Sequence, residues 1–174
     1  DALADEGGIL KAMAFMRWAE LNPQAAADYL KTKSKLDRGF GLSESEMMIA
    51  VWGASEPSAA LAWARSLPEE KRAGVIQDIL RAVAQRDPNA AIAFAKANTP
   101  ELVTDGPLAD AIDSTLRRRD PERNAKLQME LGNGGNLRRA ASQWAEKNRD
   151  AATRWAEGIA DEKLRAEAIA GVWQ

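Results

Sequence analysis

A carboxylate or amide residue followed by proline recurs along the chain, at Asn22-Pro23, Glu56-Pro57, Asp87-Pro88 and Asp120-Pro121, with the prolines 34, 31 and 33 residues apart. A fifth copy, Asn148-Arg149, follows after 28 residues and lacks the proline. Two further positions keep step with this anchor. Five residues before it lie Trp18, Trp52, Val83, Leu116 and Trp144; six after it lie Tyr29, Trp63, Phe94, Leu127 and Trp155. Small residues recur just inside, as Ala25-Ala26, Ala59-Ala60, Ala90-Ala91 and Ala151-Ala152. A fixed period of about 30 residues predicts a repeat array, because one such unit cannot bury its apolar face alone and needs a neighbour.

The chemistry of one unit predicts its shape. Asp or Asn offers a side-chain oxygen to the free N–H groups that open a helix. Proline fits the first helical position, where its missing N–H costs nothing. A helix of about 10 residues then runs to "SLPEE" or "ANTPE", where proline stops it. A second helix follows to the next cap; in the second copy it spans Glu69–Arg86, with Val75, Ile76, Ile79, Leu80 and Val83 at amphipathic spacing. The breaks obey the same grammar. "LDRGFGLSESE" stops at Gly39 and Gly41 and restarts with a Ser43…Glu46 capping box. "GNGGN" (Gly132–Asn136) reads as a flexible link. The expectation is an all-α fold, an α-α superhelix (solenoid) of about five helical hairpins and about eleven helices.

Composition agrees. Alanine, the best helix former, occurs 35 times in 174 residues. No break is long enough for a domain boundary, so residues 1–174 read as one helical-repeat domain. Trp173-Gln174 sits where a next copy would begin, which predicts either a terminal helix or a fragment of a longer protein. An array cut in that way is expected to be a monomer or to self-associate weakly through its ends. The first residue is Asp1 and not methionine, which predicts a start removed by processing or truncation.

Asp87-Pro88 with Phe94 six residues later resembles the D-P junction of tetratricopeptide-type repeats. Leu67-Pro68 stands where that family has Leu-Gly, so the first helix is shorter. "WAELNPQAAADYL" and "WAEKNRDAATRWA" are more similar to uncharacterised bacterial proteins with degenerate W-A-x-x-D-P-x-A-A repeats. This resemblance implies a superhelix and leans toward an exported or periplasmic location; it carries no activity.

Histidine and cysteine are absent, so Ser–His and Cys–His nucleophile systems, His-ligated metal sites and disulfides are excluded. Carboxylates remain. The glutamates of Ser43–Glu46 fit the acid–base role of a lytic transglycosylase only without that family's flanking segment, since "MMIAVW" follows; a capping box accounts for them more simply. The six tryptophans occupy fixed repeat phases, which predicts packing and not ligand binding. The arginines stand apart. Arg117, Arg118, Arg119, Arg123, Arg138 and Arg139 fall within 23 residues, a segment of net charge +4 in a chain of net −2. Stacked hairpins can gather them into a patch that grips a carboxylate or phosphate bidentately; a solvated helix face is the plainer reading.

These features predict a non-catalytic protein–protein interaction scaffold that binds a protein or peptide partner, with no cofactor, the arginines being the candidate contacts. The alternative is an accessory or catalytic domain acting on cell-wall glycan. The pI near 5.4 and the lack of a recurrent basic position argue against nucleic acid. No apolar run approaches the roughly 20 residues of a membrane span.

Overall fold

A computed structural model of the chain describes residues 13–14, 17–32, 38–39, 42–103 and 106–174. Over these the protein is all-α, as the sequence predicts. Residues 17–21 are helical, and nine assigned α-helices follow: α1 (Pro23–Thr32), α2 (Glu44–Ser55), α3 (Pro57–Arg65), α4 (Glu69–Arg86), α5 (Pro88–Asn98), α6 (Gly106–Leu116), α7 (Pro121–Glu130), α8 (Gly134–Glu157) and α9 (Glu162–Val172). Between α1 and α2, where the glycines predict a plain break, a two-residue antiparallel pairing joins Arg38–Gly39 to Leu42–Ser43. The helix restarts at Glu44, directly after Ser43; the side chains of the predicted Ser43…Glu46 capping box lie outside the described residues.

The repeated anchor is a junction one residue wide. Asn22, Glu56 and Asp120 each donate their N–H to the carbonyl four residues earlier, at 2.8 Å in every case, and so close the preceding helix. The carbonyls of Asn22, Glu56, Asp87 and Asp120 each accept from the residue four later, at 3.0–3.1 Å, and so open the next. Between the two the backbone is extended, with φ −135° at Glu56, −148° at Asp87 and −146° at Asp120. This is the conformation that proline imposes on the residue before it. The side chains complete the cap: Asn22 accepts from the Ala25 N–H, Asp87 from Asn89 and Ala90, and Asp120 from Arg123. Glu56, one methylene longer, makes no such bond.

The fifth copy keeps this geometry without the proline. Asn148 lies inside α8 but has φ −156° and ψ 86°, and its side chain accepts from the Ala151 N–H at 3.1 Å. Thus α8 is two repeat helices joined at a bend. The link before it is shorter than "GNGGN" suggests. Gly132 alone takes a left-handed φ of 69°, Asn133 caps the Asn136 N–H, and Gly134–Asn136 are already helical.

Contacts divide the chain into two compact units, Asp1–Arg86 and Asp87–Gln174. In the first, α2, α3 and α4 bury Ile49, Trp52, Leu61, Trp63, Ile79 and Leu80. Gly53 lets α2 approach the Ile79 backbone, where an added Cβ would lie 3.2 Å from Cα. In the second, α8 and α9 pack through a nearly all-alanine seam: Ala140, Ala141, Ala145, Ala152, Ala156 and Ala168, closed by Leu137, Trp144, Ile159 and Val172. Small side chains admit close helix approach, and Gly171 marks its limit against Arg138.

The tryptophans show what the two apolar phases are for. The ring before the junction meets the ring after it within one copy: Trp18 with Tyr29 at 5.4 Å, Trp52 with Trp63 at 5.9 Å, Trp144 with Trp155 at 5.2 Å. Trp52 and Trp144 are buried, in keeping with a packing role, whereas Trp173 is 65% exposed and lies against the Arg149 guanidinium. Trp173 is the C-cap of α9, just past the last residues that α8 covers.

Candidate functional site

The six arginines belong to three helix ends of the second unit, and the structure separates them. Arg123 lies 3.6 Å from Asp87, and Arg138 pairs with Glu167 at 2.9 Å. Arg117 and Arg139 come together, but on a carboxylate of the protein itself. Both bond Oδ2 of Asp113, Arg117 through Nε (3.0 Å) and Nη2, and Arg139 through Nη1 (3.1 Å). Arg118 and Arg119 are exposed, with no side-chain partner among the described residues.

Sequence reasoning passes over Asp113, yet this residue organises the site. It is fully buried on α6, and its Oδ1 accepts from Asn124 Nδ2 at 2.8 Å. Gln128 Nε2 donates to Asn124 Oδ1 and to the Ala109 carbonyl, while Gln128 Oε1 has no donor among the described residues. Asn136 at the start of α8 accepts from Arg139 Nη2 (2.9 Å) and donates to Asp110 (2.9 Å). One polar network therefore ties α6, α7 and α8 together.

The repeat shows how unusual that network is. Eight residues before the anchor stand Phe15, Ile49, Leu80, Asp113 and Ala141. Three after it stand Ala26, Ala60, Ala91, Asn124 and Ala152, all fully buried. Seven after it stand Leu30, Ala64, Ala95, Gln128 and Ala156. In the fourth copy alone, all three apolar phases turn polar together. Burying an ion pair where an apolar residue fits is a poor route to stability, since desolvation offsets most of the attraction. The network is not needed to pack the repeat helices, for those of the second, third and fifth copies are formed without it.

The remaining cations surround an opening. An open pocket of about 250 Å³ lies between the Asp120 and Asn148 junctions, lined by Arg119, Asp120, Pro121, Glu122, Trp144, Lys147 and Asn148. Lys147 Nζ donates to the Arg118 carbonyl (3.1 Å) and meets no carboxylate among the described residues. Lys126 lies 5.6 Å from the Trp144 ring centre and is paired with Glu122. Asp120 faces the pocket as a cap already engaged by the Arg123 N–H. Two cations and two carboxylates therefore line the pocket beside Trp144, and neither Arg119 nor Lys147 forms an ion pair among the described residues. Among the described residues, no cluster of three or more acidic side chains is arranged to hold a metal ion. The chain matches no protein-family model, no curated protein and no solved structure.

Proposed function

We propose that this chain is a non-catalytic helical-repeat scaffold, of the stacked-hairpin kind that tetratricopeptide-like sequences imply, and that it holds a peptide or partner protein at its fourth and fifth junctions. The observation that carries this reading is the pocket between Asp120 and Asn148. Arg119 and Lys147 flank it with no acidic partner among the described residues, beside the edge of a buried tryptophan. Cations free of ion pairs at an open pocket suit an interface contact, since arginine carries a large share of binding energy at protein contacts.

The test is capture of a partner by the wild-type chain and by an Arg118→Glu/Arg119→Glu/Lys147→Glu variant whose helical circular dichroism is intact. A partner held by the wild type and lost by the variant supports the reading. Equal capture removes this pocket from it. Hydrolysis of cell-wall glycan by the purified chain would overturn it.

A further inference from the structure

We infer that Arg117 and Arg139, fixed on the buried carboxylate of Asp113, form a preorganised site for a carboxylate carried by an acidic peptide. This deepens the scaffold reading above and rests on it. The two guanidinium groups share one oxygen of Asp113, yet their side chains are 41% and 48% exposed. Each uses two of its five N–H groups inside the network. The others are free to face an incoming oxyanion. Asp113 is engaged on both oxygens, by Arg117 and Arg139 on one and by Asn124 on the other. Asp113 is buried and Asp110 lies on the far side of Asn136, so the half-exposed guanidinium faces are what the network presents to solvent.

Preorganisation gives the pair its affinity. An exposed arginine loses side-chain entropy when it grips a ligand. Here Asp113 and Asn136 have already fixed the forks, so that loss is taken during folding. The fourth copy alone departs from the apolar pattern, and its three polar residues lead to these two arginines. A nucleic-acid strand is the poorer occupant. Its evenly spaced phosphates need a row of cations to follow, and the chain has no recurrent basic position to supply one.

The experiment is fluorescence anisotropy of a labelled Glu-rich decapeptide and of its Gln counterpart. Three proteins are compared: wild type, Arg139→Gln, and Asp113→Leu/Asn124→Ala/Gln128→Ala, which gives the fourth copy the residues of the third. Arg139→Gln leaves the Asp113–Arg117 pair and the fold in place. The site predicts that the Glu peptide binds the wild type at least tenfold more tightly than the Gln peptide, with the preference weakening as salt is raised. It also predicts that either variant loses about tenfold, the worth of one charge-assisted contact. Should the triple variant fail to fold, Arg139→Gln decides alone. Equal binding of both peptides by wild type and Arg139→Gln would overturn the site while leaving the scaffold standing. Binding of the Glu peptide that survives in both variants would overturn it too, as would tighter binding of a single-stranded oligonucleotide lost in the same variants.

Discussion

Alanine at position 171 puts a methyl carbon 2.1 Å from the Arg138 carbonyl oxygen, 2.9 Å from its carbon and 3.1 Å from Ala141 Cβ. A comfortable carbon–oxygen contact is about 3.3 Å or more. The obstacle is backbone, so no side chain can swing aside, and α9 must retreat from α8 by about 1 Å. A gap of that size forfeits a quarter to a half of each dispersion contact along the alanine seam. Overpacking of a core ordinarily costs about 1–3 kcal/mol; with a whole helix pair displaced, about 3 kcal/mol is expected. The substitution would otherwise favour the helix by roughly 1 kcal/mol. Gly74→Ala isolates that gain, because nothing lies within 4 Å of the place its methyl group would take inside α4. Urea denaturation followed by circular dichroism measures both. With the helix gain set against the clash, about 2 kcal/mol net, and a slope of about 2 kcal/mol/M, the Gly171→Ala midpoint falls by about 1 M, while Gly74→Ala leaves the midpoint unchanged or raises it. A Gly171→Ala protein as stable as wild type would refute the close approach of α9 to α8.

Glu56→Asp supplies the cap bond that the longer side chain does not make, and is expected to raise stability by about 0.5–1 kcal/mol in the same assay. Arg149→Pro restores the repeat's proline where Asn148 already holds the extended conformation; it should stabilise by about 0.4–1 kcal/mol, and a loss would mean the fifth junction is not equivalent to the others. Trp144→Ala should cost about 3–5 kcal/mol, because the ring is buried against Trp155. Trp173→Ala, removing an exposed ring, should cost under about 1 kcal/mol, read as a melting-temperature shift.

The helical elements were readable because their signals are local. Asx-Pro states where a helix begins, and the structure places the caps at Asn22, Asp87, Asp120 and Asn148, the last without its proline. The helix Glu69–Arg86 follows from its amphipathic spacing alone. Pairing of Trp52 with Trp63 and of Trp144 with Trp155 was harder to see, since it needs the angle between successive helices and not only their phases. The candidate site was readable in part. Six arginines in one segment announce a charged region, but charge density does not say which guanidiniums meet. Asp113, Asn124 and Gln128 were missed, although their signal was present: three polar residues at three phases that are apolar in every other copy. That signal appears only when the copies are compared position by position. Gly171 gave none, because its meaning lies in the Arg138 carbonyl on another helix.

The claim beneath all of this is that the fourth copy is the same hairpin as the others, with its core made polar to hold two arginines. Stability of Asp113→Ala beside Asp113→Leu/Asn124→Ala/Gln128→Ala tests it most directly. The single change strips Arg117, Arg139 and Asn124 of their shared partner; the half-exposed guanidiniums can turn to water but the buried Asn124 amide cannot, and a cost of about 1–3 kcal/mol is expected. The triple change installs the residues found at Leu80, Ala91 and Ala95, and is expected to return to within about 1 kcal/mol of wild type or above it. A triple variant less stable than the single one would contradict the equivalence of the copies.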